Sequence, residues 1–306
     1  MACFFDSVKN KRTTNEDSYC KMDLGINHEA QVSSMVVADG MGGLDAGEEY
    51  SSTAVKLWYR ELMRTLLSEE FTDTSLENQL EVLKDNTVRA FSRIGKTLYK
   101  KGIDSGVRGG TTLTVVLHFW NTLLIANCGD SPVYGFKNGQ VELLSEVQNA
   151  AGKMVREGKI KPGSLLYYQN KNRLLSYMGG REEVEPYINV VDSRDYDCII
   201  VGTDGAFGGL DEEELQWVFG QITSPDTLIR TLFDSARAKG EDDNQTAIVY
   251  FPNEEEEVTE KGLPETTVSF DLFPGKEEGR NEDKTQKKPR GIRKLLLKTY
   301  ERIHRL

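Results

Sequence analysis

The stretch Val36-Val37-Ala38-Asp39-Gly40-Met41-Gly42-Gly43 constrains this chain more than any other. A short apolar run that ends in an acidic residue and three glycines within four positions reads as a buried strand delivering one carboxylate to its exposed end. Asp-Gly alone is ordinary turn chemistry. The weight comes from four further acidic, turn-flanked motifs: Asn15-Glu16-Asp17, Cys128-Gly129-Asp130-Ser131, Gly202-Thr203-Asp204-Gly205 and Asp242-Asp243-Asn244. Each of the last three adjoins a β-rich segment, where folding can bring its carboxylate to the same pole as Asp39. Converging carboxylates repel unless cations neutralise them, so the pattern suggests a divalent-metal site.

Composition narrows the choice of cation. The three histidines, His28, His118 and His304, are not in ligand spacing, which makes zinc improbable and leaves magnesium or manganese. The four cysteines (Cys3, Cys20, Cys128, Cys198) form no Cys-x-x-Cys pair and are too irregular for a disulfide framework. No basic region followed by an apolar one opens the chain, and no run approaches the ~20 apolar residues of a membrane span. The expectation is a cytoplasmic protein with reduced thiols. Its 306 residues suit one large domain or two small ones. The net charge of −11 is uneven: residues 254–283 hold eleven acidic against three basic residues, and 284–306 nine basic against Glu301 alone. The tail therefore nearly cancels, and the acidity belongs to residues 1–253, which speaks against nucleic acid as a partner.

Along the chain, Ala54, Trp58, Leu62 and Leu66 recur at helical spacing, and a second helix follows through Leu76, Leu80, Leu83, Thr87, Phe91, Ile94 and Leu98. The period then changes to two. Leu113 to Phe119 and Leu123 to Asn127 form one hairpin with a turn at Asn121-Thr122; Val133 to Phe136 and Val141 to Leu144 form another, turning at Asn138-Gly139. Residues 146–185 read as a surface excursion. A buried strand over Cys198–Val201 opens onto Asp204, helices follow near 212–219 and 225–239, and a last strand runs over Thr246–Phe251. Antiparallel strands interrupted by helix pairs argue for an α+β sandwich rather than alternating βαβ units. Residues 253–288 are charged and poor in aromatics, a flexible linker. Residues 289–306 place Ile292, Leu295, Leu296, Ile303 and Leu306 on one face of a basic amphipathic helix, suited to a partner groove, to an anionic membrane surface, or to packing on its own domain or a dimer mate.

Taken in order, the motifs resemble the metal-dependent protein serine/threonine phosphatases of the protein phosphatase 2C type, over about residues 6–251. Arg12-Thr13-Thr14-Asn15-Glu16-Asp17 is similar to the family's Arg-x-x-Asn-Glu-Asp, and Asp39-Gly40-Met41-Gly42-Gly43 to its bacterial Asp-Gly-Met-Gly-Gly. Gly110-Thr111-Thr112, Asn127 to Ser131, Thr203-Asp204-Gly205 and Asp243-Asn244-Gln245-Thr246 match later motifs.

The resemblance implies a four-layer α-β-β-α sandwich of two antiparallel sheets flanked by helix pairs over residues 1–252. It implies that Asp39 bridges two Mn2+ or Mg2+ ions, joined by the carbonyl of Gly40. Asp204 and Asp243 would complete one shell, and Glu16 and Asp17 the other, directly or through water. Arg12 would hold the substrate phosphate, and Asp130 with Asp204 would hold a weaker third cation. A water activated by two metals would then attack phosphoserine or phosphothreonine, with phosphoproteins as substrates and a serine/threonine kinase as counterpart. The sequence departs from the family at Met41, where eukaryotic members carry histidine, and at Leu44, Pro132 and Val147-Gln148, where many bacterial members carry histidine, arginine and Asp-His. The segment from about 149 to 180 corresponds to the family's variable flap. Cys-x5-Arg, P-loop and EF-hand patterns are all absent. The remaining alternative is a catalytically silent phosphatase-like regulatory module.

Overall fold

Residues 35–38 show how the layers arise: Met35 and Val37 pack to one side of their strand, Val36 and Ala38 to the other, and all four are buried. A strand apolar on both faces must lie between two other layers. The computed structural model describes residues 3–25, 31–42, 46–220, 224–253 and, for the backbone, 268–271. Strands β1 (Cys3–Val8) and β2 (Ser18–Gly25) precede β3 (Gln31–Ala38) and the short β4 (Gly40–Gly42). Helix α1 (Ala46–Leu66), the single turn α2 (Glu69–Thr72) and α3 (Leu76–Ser105) follow. After β5 (Gly109–Thr111) come the hairpins β6 (Leu113–Phe119) with β7 (Thr122–Cys128), and β8 (Val133–Lys137) with β9 (Gln140–Leu143). The flap carries α4 (Ala150–Arg156) and α5 (Leu165–Asn170). Then β10 (Tyr187–Asp192), β11 (Cys198–Gly202), α6 (Asp204–Phe207), α7 (Glu212–Gly220), α8 (Pro225–Ala238), β12 (Gln245–Tyr250) and β13 (Val268–Asp271) complete the order.

One sheet runs β1-β12-β11-β8-β9 and the other β10-β7-β6-β3-β2-β13. Their pairings are antiparallel except that β13 lies parallel to β2, Val268 opposite Met22. Met35, Val37, Ile199, Val201, Ile248 and Tyr250 fill the space between the sheets. Their neighbours Cys198, Ile200, Ala247 and Val249 face α7 and α8 instead. The outer face of the second sheet packs on α1 and α3 through Ala54, Trp58, Leu62, Phe91 and Ile94. Two antiparallel sheets between helix pairs make the expected α+β sandwich.

Local differences have physical reasons. Leu76 opens α3 and is exposed, because the buried face of the helix begins only at Leu83 and runs on through Phe91, Ile94 and Leu98. The first hairpin turns at Trp120-Asn121, one residue earlier than expected, since Thr122 already pairs with Phe119; Trp120 takes a positive φ of 56° there. Asn138-Gly139 turns as expected, with φ of 52° and 75°. None of the four cysteines is in a disulfide, and no helix among the described residues is long and apolar enough to cross a membrane. The linker expected over 253–288 lies outside the described residues apart from Asn253 and β13, as does the basic helix expected over 289–306.

Candidate active site

Register brings the acidic motifs together. Ser18 pairs with Ala38, so Asp17 and Asp39 leave adjoining strand ends at the same edge of one sheet. Leu113 pairs with Cys128, which places Asp130 beyond that edge beside Thr112. In the facing sheet Gly202 pairs with Ala247, and Asp204 and Asp243 emerge from the adjoining ends of β11 and β12. Five carboxylates from two sheets thus share one pole.

Neutral groups hold the pole in shape. The Asp39 N–H donates to Thr112 Oγ1, while Thr112 N–H and Thr111 Oγ1 donate to the Asp39 carbonyl, each at 2.9 Å. Thr203 and Thr246 both donate their hydroxyls to Asp17 Oδ2, at 3.0 and 2.7 Å. Asn244 accepts from the Glu16 N–H and donates to the carbonyls of Lys9 and Thr14, which ties the loop bearing Arg12 to the strand end bearing Asp243. Gly40 donates its N–H to the Glu16 carbonyl, and a side chain there would stand 2.3 Å from the Gly47 carbonyl oxygen. Only glycine allows the start of α1 so close to Glu16.

The electrostatics are strained in one direction. Burial, then the charges of Asp17, Asp204, Asp130 and Asp243, pushes the Asp39 carboxyl well above its usual range. Asp17 rises to about 7, chiefly through burial and against the hydrogen bonds from Thr246 and Thr203. Asp130 also rises to about 7, from burial and the Asp204 charge, opposed by a 2.9 Å bond from Asn149 Nδ2. Asp204 is raised by burial, with Lys171 pulling the other way.

The structure thus brings together Asp17, Asp39, Asp130, Asp204 and Asp243 as the sequence suggested, with Glu16 and Gly40 at their side. Arg12 stands at the rim, where its Nη2 donates to Asp243 Oδ2 at 2.8 Å and both side chains remain substantially exposed. The expected phosphate fork and an expected metal ligand are thus paired with each other. Among the described residues no three His, Cys, Asp or Glu side chains stand, as placed, in a group that could hold a metal ion. Gly43 and Leu44 lie outside the described residues. Gln148 exchanges two hydrogen bonds with Gly129, its Oε1 accepting from the Gly129 N–H and its own N–H donating to the Gly129 carbonyl, both at 3.0 Å. Sequence reasoning missed the supporting threonines, although Thr203 and Thr246 stood inside quoted motifs. It missed Lys171 as well, because the flap carries no periodic signal.

Comparison with known proteins gives first the class. The serine/threonine phosphatase of Staphylococcus aureus shares the fold at a TM-score of 0.68 and 23% identity, over 81% of this chain and 94% of that one. That of S. agalactiae does so at 0.68 and 22%, over 82% and 99%. In sequence, the serine/threonine phosphatase of Listeria monocytogenes is 27% identical over 74% of this chain and 86% of its own length. The phosphatase PhpP of Streptococcus pneumoniae is 25% identical over 81% and 96%. The family model described as protein phosphatase 2C matches residues 8–245. The chain belongs to the protein phosphatase 2C family, a class of protein serine/threonine phosphatases.

Proposed function

We propose that this chain hydrolyses phosphoserine and phosphothreonine on proteins, using divalent cations held at the carboxylate pole. One observation carries the reading: five carboxylates converge where burial and mutual repulsion raise the pKa of four of them, and the fold supplies few bases in return. An all-oxygen donor set with surplus negative charge fits Mn2+ or Mg2+. Asp39, the Gly40 carbonyl, Asp204, Asp243, Glu16 and Asp17 would hold the cations. Asp17 already accepts two hydroxyl bonds on Oδ2, so its other oxygen, directly or through a water, would hold the cation. When bound, such cations lower the pKa of water into the neutral range and neutralise phosphoryl charge.

The chain's own groups do the positioning. Arg12 offers a two-pronged guanidinium to phosphoryl oxygens, which lysine does not reproduce. Its present partner Asp243 forms an exposed pair, worth up to ~1 kcal/mol, so an arriving phosphate exchanges with it at little cost. The threonines at 111 and 112 fix the Asp39 main chain and those at 203 and 246 the Asp17 carboxylate before substrate arrives, which spares reorganisation during reaction. The acidic surplus of residues 1–253, the kinase counterpart, a cytoplasmic location and a docking role for the basic C-terminal segment belong to the same reading.

The test is phosphate release from a phosphothreonine peptide after chelation and after adding Mn2+ or Mg2+, for wild type and Asp39→Asn. Release that depends on metal and is lost in the variant supports the proposal. No release with either metal from folded protein would favour the catalytically silent alternative.

A further inference from the structure

Beside the carboxylate pole, between the flap and α6–α7, lies a cavity of about 510 Å³ that Asp130 and Asp204 both line. Two carboxylates facing one cavity need a counter-charge. Of the described residues lining it, two are cationic, Arg156 and Lys171. Arg156 is committed elsewhere: it donates to the Val147 carbonyl at 2.7 Å and stands 3.3 Å from Glu146, largely in solvent.

Lys171, just past α5, is more withdrawn from water, and its partner lies on the loop that carries Asp243. Its side chain is 22% exposed, and its Nζ lies 3.3 Å from Glu241 Oε2. It lines the cavity together with Asp130 and Asp204. Glu241 is itself a connector: its Oε1 accepts the N–H groups of Asp242 and Asp243 at 3.1 and 3.2 Å, and its carboxylate lies against Gly208, where any Cβ would overlap it. A continuous path therefore runs from the flap through Lys171 and Glu241 to the backbone of Asp243. An ammonium suits this place because its three donors point in different directions and can face several carboxylates at once.

We propose that Lys171 is a positioning residue whose ammonium serves as the built-in counter-charge of Asp130 and Asp204, standing in for a third divalent cation, and that with Glu241 it latches the flap to the Asp243 loop. This rests on the metal-dependent reading above, and it replaces the third-cation role first expected for Asp130.

The experiment is a calorimetric titration of the full chain with MnCl2 alone, alongside thermal unfolding as a check of folding. Wild type and Lys171→Arg bind about two Mn2+ per chain. Lys171→Met and Lys171→Gln each gain one further, weaker ion, and adding Asp130→Asn to Lys171→Gln removes that gain. If Lys171→Met does not fold, Lys171→Gln, which can still hydrogen-bond Glu241, decides. Equal stoichiometry in wild type and the neutral variants, or a third ion already present in wild type, overturns the proposal and leaves the two-metal reading intact. No Mn2+ bound by wild type overturns both.

Discussion

Glu61, in the middle of α1, and Asp39, at the end of β3, are both carboxylates withdrawn from water, yet their surroundings differ. Three arginines close on Glu61: Arg64 at 2.7 Å, Arg93 at 3.4 Å and Arg60 at 3.6 Å. Its charge is matched by bases on the same helix and on α3, so the group joins two helices and needs nothing further. Around Asp39 stand four other carboxylates, with Arg12 and Lys171 as the nearby bases, one on a rim loop and one on the flap. Burial alone thus does not mark a functional acid. An acid left unmatched by the fold marks where something else binds.

Neutralising one acid in each region should give opposite phenotypes. Asp39→Asn removes the carboxylate on which the charges of all four others act, and metal-dependent phosphate release should fall roughly 10³-fold or more, while thermal stability in chelator holds or rises. Steady-state kinetics with a phosphopeptide and a melting curve measure both. A stable variant with near wild-type turnover would remove Asp39 from the site. Arg12→Ala should cost less, about 10- to 100-fold in kcat/KM, and Arg12→Lys should recover only part of it because the fork is lost. Full recovery by lysine would show that charge, not geometry, is what Arg12 contributes.

The unmatched charge also sets a pH dependence. Asp17 and Asp130 titrate near 7 in the metal-free fold against 3.8 when unfolded. Between about pH 4 and 7 the folded chain therefore holds protons that the unfolded chain has released. Stability falls as pH rises through that window. Because the groups share protons, the loss is on the order of 2 kcal/mol, or about 4–8 °C in Tm, between pH 5 and 8 in chelator. Mn2+ at pH 8 should restore it. A Tm independent of pH and metal would mean that the pole is already neutral.

How much of this was legible beforehand follows from the same physics. Four of the five acidic motifs could be read because each pairs a strand signal with a glycine or asparagine turn, and a turn at a strand end exposes what it carries; Asn15-Glu16-Asp17 had no recognised strand beside it. β3, β11 and β12 were evident as continuous apolar runs, since both their faces are covered. β1, β2 and β10 were not recognised as strands: β1 and β10 are only partly buried and β2 mixes Lys21 and Asp23 into its run, so neither alternation nor an apolar block stands out. Lys171 was illegible for a different reason. Its meaning depends on Glu241, 70 residues away, and on a cavity that exists only once the flap has folded over α6.

The smallest expected effect falls on the matched acid. Glu61→Gln keeps an acceptor for the arginines but removes the charge, and the arginines, about half exposed at Arg64 and Arg93, can turn to water rather than remain stranded. The cost should be about 1–2 kcal/mol of stability, well below that of an isolated buried charge. Catalysis should not change. Gly47, at the start of α1, lies against the Glu16 carboxylate, and Glu61 stands 14 residues further on, about 21 Å along the helix. A neutral substitution at that distance, with its partners facing solvent, has no charged path to the pole. Matched denaturation and kinetic measurements decide: a lower midpoint with unchanged kcat/KM and Mn2+ affinity keeps the two regions separate. A fall in kcat/KM beyond what the unfolded fraction accounts for would show that α1 transmits the state of its arginine cluster to Glu16.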